Sequence, residues 1–431
     1  MKIDLKQIGR SSFGLGTFFL ASAPAISILF IIISIIISSL KRKKNYFNDQ
    51  WNYPFFISGL LMIICCLTEQ LKSSNEKLEY LNSINSWIGL ANWIPLFFCF
   101  WALQPYLILK EDRRRCALYF ICGCVPVLIT GFGQYWFNWY GPFELFNGLI
   151  IWFQRPIISN GGLSGLFNNA NYAGALLTMV LPFVLAASYQ KNLSLIKRTI
   201  VIIINMMVII AIVLTNSRNA WLGLFISIPL LIGSFRFLIS TFSGISIIFA
   251  SIKLYDWLKE FLISFLPAIW IDNFDISLIT SDARVLIFKN SIKYIIERPF
   301  LGHGGSGFGE IYRFRSQCTF GYCYDHSHNL PMELALKYGV ITSIVISSSV
   351  GILVYLGYKK ITFKDNNIKY SFSENLFDKA WVVSAIIILT SHMVDIQYFD
   401  IRISLFSWIL LAGIKELIME ENKFKKIAFK E

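Results

Sequence analysis

Apolar stretches of about 15 to 25 residues recur along this chain, the length that one bilayer crossing requires. Between them lie short polar connections. Residues 13–40 are apolar but flanked by base on both sides (Lys2, Lys6 and Arg10, then 41–44) and broken by Pro24. That run is too long for one span and too short for two, so it reads as a bent helix or a short hairpin. Helices are expected over 52–68, 87–109 and 116–135, then over 161–189, 199–214, the stretch after 216 towards Arg236, and 237–255. After Pro331 one helix returns from 332 to 358, followed by a pair at 380–397 and 403–418. The fold class expected is an all-α polytopic membrane protein of about 11–12 transmembrane helices, with one large extracytoplasmic loop subdomain between two late helices.

Two stretches depart from this alternation. Residues 136–156 are dense in Trp and Phe, as suits an interfacial segment, or a re-entrant piece of core. The stretch from Asp256 to Pro331 is the longest that does not suit a bilayer. It holds amphipathic segments at 257–270 and 283–299, the latter stopped by Pro299. The division expected is 1–135 N-terminal transmembrane helices, 136–255 central helices with the aromatic segment, 256–330 a loop subdomain, and 331–431 C-terminal helices with a basic tail.

Composition agrees: 55% of residues are hydrophobic and 15% charged, and mean hydropathy is +0.57. The N-terminal run is not a cleavable signal peptide, because it lacks a small-residue cleavage site and ends in base. The net charge of +13 changes the picture only through its placement. Lys and Arg gather at 41–44, 110–115, 191–198, 359–369 and from Lys415 onward, on every second connection, which marks those loops as cytoplasmic. No nucleic-acid module accompanies the charge, so nucleic acid is not an expected partner. Of eight cysteines, six lie in or beside apolar runs and read as small hydrophobes. Cys318 and Cys323 fall outside the membrane and are the disulfide candidate.

Candidate chemistry collects at the outer ends of the helices. Histidine is the side chain best suited to proton transfer near neutral pH. The chain has four, and His303, His326 and His328 fall in the large polar stretch. Arg218 sits in a turn between two helices, where it is either an interfacial anchor or a ligand contact. Arg284 heads an amphipathic segment and could equally pair with Asp282. Asn168 and Asn171 open a helix whose amides are costly unless they face water or a polar ligand. Ser217, Asn329, Asp395, Asp400 and Arg402 complete the polar set; for Asp395, Asp400 and Arg402 a structural salt bridge is as good a reading as a functional one. Gly302, Gly304 and Gly307 match G-x-G-x-x-G, but without a βαβ unit they read as turns, not a dinucleotide site. His326 and His328 with Asp325 lack a fourth ligand at useful spacing, so no metal is expected.

Arginines on one outer face with a histidine suit a lipid pyrophosphate. The histidine would take the proton of an acceptor hydroxyl attacking a sugar anomeric carbon, while the arginines stabilise the departing pyrophosphate. At 165–174, 215–221, 284–312 and 326–340 the chain resembles the O-antigen ligase and O-antigen polymerase superfamily of bacterial inner-membrane proteins. The resemblance implies an inverting, metal-independent glycosyltransferase without cofactor, with its active site on the periplasmic side. Its partners would be an undecaprenyl-pyrophosphate-linked glycan donor, a lipid A–core or glycan acceptor, and membrane lipids. By matching motif it implies that Arg218 and Arg284 contact the pyrophosphate and that His328 is the base, with His326 its rival. Related members proposed to carry bicarbonate make a small-anion transporter the alternative. Transport would need polar groups continuing through the midplane, and 200–214 and 341–356 offer only Asn205 and small hydroxyls.

Overall fold

A computed structural model describes residues 4–42, 45–75, 83–148, 150–157, 161–191, 193–233, 236–237, 239–241, 243–244, 283–305, 307–316, 323–362 and 372–428. It is an all-α membrane protein in which six helices, among the described residues, are long and apolar enough to span a bilayer. The expected helix at 257–270 and most of that at 237–255 lie outside the described residues.

The N-terminal run resolves into a hairpin: α1 (Leu5–Phe19) and α2 (Pro24–Lys41) pack along each other. Pro24 opens α2 at a position whose N–H has no intrahelical partner in any case. Then follow α3 (Tyr53–Asn75), α4 (Ser83–Leu90), α5 (Ile94–Ala102) and α6 (Lys110–Phe137). The continuous helix expected over 87–109 is in fact broken at 91–93. Pro95 cannot donate to a preceding turn, and Trp93 leaves the helical path to stack on Tyr398 at 4.2 Å. The Asn92 carbonyl freed by the break accepts from the Tyr398 hydroxyl at 3.0 Å.

The aromatic segment is neither span nor helix. Its strands β1 (Phe143–Leu145) and β2 (Ile150–Trp152) pair antiparallel, with Phe143 opposite Trp152. Phe137, Trp139, Tyr140, Phe146 and Phe153 stand exposed, as an interfacial anchor requires.

The centre is α7 (Ala170–Ser188), whose 18-residue apolar window is 83% buried. It is packed by α6, α8 (Leu195–Leu214), α9 (Arg218–Ile232), α14 (Phe372–Ser391) and α15 (Ile401–Ala428). Small residues let the backbones approach, Gly174 lying against Ala220. The Ser384 hydroxyl of α14 donates to the Met179 carbonyl of α7 at 2.7 Å. Phe120 stacks on Phe406 with centroids 3.8 Å apart. By contrast the corresponding window of α8 is only 17% buried and presents Leu195, Ile196, Ile200 and Ile203 outward, the composition of a lipid-facing helix.

The large polar stretch contributes α10 (Ala283–Glu297) and α11 (Gly307–Ser316), then α12 (Leu330–Tyr338) and α13 (Val340–Thr362). A second, smaller core of Ile287, Tyr294, Phe308, Ile311 and Leu336 joins α10 and α11 to α12. Between α10 and α11 the glycine-rich loop packs on the end of α12. The N–H groups of His303 and Gly304 donate to the Leu336 and Lys337 carbonyls at 2.8 and 3.0 Å. Gly302 sits at φ +67°, and a Cβ there would lie 2.6 Å from the Lys337 carbonyl. Turn geometry and close backbone approach therefore account for this glycine. Among the cysteines, Cys65, Cys66, Cys99, Cys116 and Cys124 are buried free thiols and Cys122 an exposed one. Cys323 is disulfide-bonded; Cys318 lies outside the described residues.

Candidate active site

Three helices that begin at the same end of the bundle share one local design. Asn168, Asn216 and His328 each adopt the left-handed conformation, at φ +55°, +52° and +54°. Each is followed by an N-cap, Asn169, Ser217 or Asn329, whose side-chain oxygen accepts from the first turn of α7, α9 or α12. Asn tolerates the left-handed region and histidine does so less readily, at a cost of about 1–2 kcal/mol. The turn at His328 must therefore be held by its surroundings.

It is held tightly. The Asn329 amide donates to the Met393 carbonyl and the Leu330 N–H to the His392 carbonyl, both at 2.9 Å. The buried Ser327 N–H donates to Glu333 at 2.9 Å, and the Ser327 hydroxyl to the Asn329 carbonyl at 3.0 Å. Lys337, one turn further along α12, balances Glu333 at 3.3 Å.

The segment tethered by this turn, 392–400, is not the end of a helix as expected, because α14 stops at Ser391. It is a polar linker carrying Asp395, and His328 Nδ1 lies 2.8 Å from Asp395 Oδ1. From there a hydrogen-bond relay runs back to α9. Asp395 Oδ2 accepts from Gln397 at 3.1 Å, and Gln397 Oε1 accepts from the Ser391 hydroxyl at 3.0 Å. The same hydroxyl accepts from the Asn219 amide at 2.6 Å, and Asn219 is the neighbour of Arg218.

Burial alone would raise the Asp395 carboxyl. The His328 hydrogen bond and the adjacent imidazoles outweigh it and hold the carboxyl below the ordinary carboxylate value. His328 keeps a quarter of its side chain exposed, against 7% for Asp395. His326 is half-buried with its ring 4.2 Å from that of His328, and its Nδ1 accepts from the His328 N–H at 3.3 Å. Burial, together with the neighbouring imidazole, pushes His326 below the usual histidine value. His326, His328 and Asp395 bring one ligand atom each to within 4.8 Å of one another, a set that could also hold a metal ion.

The other residues singled out from the sequence separate into groups. Asp400 and Arg402 form a bidentate pair, at 2.8 and 2.5 Å. Arg402 also donates to the Leu166 carbonyl at 2.9 Å and covers the Phe167 ring. This is the salt-bridge arrangement, and it fastens the start of α15 to the loop before Asn168. The Asn168 side-chain oxygen is buried without a hydrogen-bond partner among the described residues. Asn171 is half-buried in the first turn of α7. Ser217 and Asn329 spend their side chains as caps. Arg218 is exposed at the head of α9, and Arg284 is half-buried at the head of α10, the helix packed on α12.

Asp395 as the histidine's partner, the relay through Gln397 and Ser391, and Glu333 beneath the turn escaped the sequence reading. Tyr172, within electrostatic reach of Asp325, Asp395, Asp400 and Arg402, escaped it too. Only Glu333 left a local signal, an acid in the first turn of a helix opened by Asn-Leu-Pro.

The molecule is thus a multi-pass α-helical membrane protein with a His–Asp pair at one end of its helices, the carboxylate buried and the imidazole a quarter exposed. Residues 202–347, about a third of the chain, match the family described as O-Antigen ligase. The matched stretch includes Arg218, Arg284, His326, His328 and Asn329. The 391–402 linker with Asp395 lies beyond it. No curated protein matches the chain.

Proposed function

We propose that this protein transfers a glycan from an undecaprenyl-pyrophosphate carrier to an acceptor hydroxyl at the periplasmic face of a bacterial inner membrane. The observation that carries the reading is the 2.8 Å contact between His328 Nδ1 and Asp395. With Nδ1–H donated to the carboxylate, Nε2 is the unprotonated nitrogen and can accept a proton. The acceptor hydroxyl loses its proton to His328 Nε2 as its oxygen bonds to the anomeric carbon. The bond from that carbon to the carrier's phosphate oxygen breaks on the opposite side, inverting the centre and releasing undecaprenyl pyrophosphate. Asp395 stabilises the imidazolium formed, and Arg218 and Arg284 bind the charge accumulating on the pyrophosphate.

Several features support this assignment of roles. His326 is the weaker candidate base, because its Nδ1 already accepts from the His328 backbone. The helix N-termini at Asn169, Ser217 and Asn329 add partial positive charge on the same end as the arginines. The reading gives His326, His328 and Asp395 to proton transfer rather than to a metal. The basic stretches at 110–115, 191–198 and from Lys415 lie at the other ends of these helices, which by the positive-inside rule supports an outward-facing histidine turn. Transport is disfavoured because 200–214 and 341–356 carry only Asn205 and small hydroxyls towards the midplane.

The test is deletion of the gene followed by electrophoresis of the surface lipopolysaccharide. Loss of all capped core indicates a ligase and restriction to a single repeat unit a polymerase. An unchanged pattern would end the glycosyltransfer reading.

A further inference from the structure

At the opposite end of α15 from the histidine turn lies a cavity of about 670 Å³. Thirteen residues of α15 separate Arg402 from Lys415, a rise of about 20 Å, so this is a separate site. Lys6, Arg10, Lys41, Arg42 and Lys415 line it, against the carboxylates Asp49 and Glu416. Asp112, just outside, lies 3.9 Å from Arg10. Even with all three carboxylates set against the five cations, positive charge is in excess.

The deep wall of this cavity is organised around Gln104, which is 1% exposed. Its side-chain oxygen accepts from Arg42 at 2.8 Å and from Lys415 at 2.7 Å. Those two cations fix the orientation of the amide, so its Nε2 must face the other way. Among the described residues that nitrogen is buried with no hydrogen-bond partner. Lys415 is held from behind by Asp49 at 2.5 Å, and Arg42 lies over the Trp101 ring. An excess of cations around a cavity with partly buried Arg42 and Lys415 in its wall calls for a ligand that carries negative charge. Apolar side chains, Ile37, Ile108 and Met419 among them, complete the lining.

We propose that this cavity binds the phosphate group of an anionic ligand, its oxygens taking the Arg42, Lys41 and Arg10 donors. Phospholipid headgroups and free phosphate share this chemistry. The site lies among the basic ends of the helices, at headgroup depth, where pockets between helices take anionic lipids.

The experiment uses the purified full-length protein. One arm compares retention of phosphatidylglycerol with that of phosphatidylcholine by native mass spectrometry from mixed nanodiscs. The other titrates inorganic phosphate into detergent-solubilised protein and follows the melting temperature. Selective phosphatidylglycerol retention identifies a lipid headgroup, and a saturable phosphate shift alone identifies a soluble ligand. The double variant Arg10→Gln/Lys41→Gln, confined to exposed rim residues, weakens whichever response is seen by about tenfold. Gln104→Glu, which sets a carboxylate between Arg42 and Lys415 and neutralises part of the cationic wall, abolishes it. The proposal is overturned if the wild type shows neither response, or if the response survives the rim double variant in folded protein.

Discussion

The glycine-rich loop and the histidine turn are neighbours along the chain, each built from glycine or left-handed residues around a histidine, yet they hold that histidine to opposite ends. His303 is 2% exposed, and its Nε2 lies 2.7 Å from the Tyr294 carbonyl. A carbonyl only accepts, so Nε2 carries the proton in that contact, and no face of the ring is left for a substrate. His328 is a quarter exposed, occupies a left-handed conformation and meets a carboxylate that is itself anchored by the Ile396 N–H and the Gln397 amide. What separates a packing histidine from the proposed base here is the partner and the outlet, not the local sequence. Both occur beside glycine or polar residues in a loop just before a short helix.

Five outcomes would break or sharpen that contrast. His328→Ala should lower glycan transfer by about 10²- to 10⁴-fold, the worth of a positioned base, with membrane abundance unchanged on an immunoblot. Normal surface glycan in that strain would erase the distinction. Asp395→Asn should cost about 10- to 100-fold in kcat, the equivalent of one hydrogen bond to a charged group. Its measurement is turnover of purified protein with a lipid-linked donor, and wild-type turnover would reduce Asp395 to a tether. Arg218→Lys should cost about tenfold through loss of bidentate contact to the leaving group. An interfacial anchor would accept lysine without change in the same assay.

For the packing histidine the readout reverses. His303→Ala should lose about 1–3 kcal/mol of stability as a buried hydrogen bond disappears, seen as a lower melting temperature in detergent. Turnover per folded molecule should stay at the wild-type level. The smallest effect is on pH. Burial lowers both His303 and His326 from the ordinary value of 6.5, so each binds its proton less readily folded than unfolded. Their stabilising contribution is complete above about pH 6.5 and is lost as the pH falls below it. Melting temperature should decline on acidification from that point, and less steeply in His303→Ala.

Much of this was legible in the sequence, for reasons that differ by residue. Asn169, Ser217 and Asn329 announce helix starts because capping is a local hydrogen bond within three residues. The run 170–188 declares a span because hydrophobic length is a property of the segment alone. The pairing of His328 with Asp395 spans 67 positions, and no periodicity encodes which distant carboxylate a turn will meet. The break at 91–93 was hidden for the same reason, since Trp93 leaves its helix for Tyr398, far along the chain. Asp395, Asp400 and Arg402 read as one charged set, and only the geometry shows that Asp400 and Arg402 are taken up by each other while Asp395 meets His328.

The relay from Asn219 through Ser391, Gln397 and Asp395 to His328 has a practical corollary for anyone who would isolate the recognised portion. A fragment covering 202–347 would contain both arginines and both histidines of the proposed chemistry. It would lack the acidic counterweight and two of the relay's links, which arrive from the following pair of helices. Such a piece would display the family's hallmark residues and remain catalytically silent until the C-terminal helices were supplied, whether in the same polypeptide or as a co-expressed second half.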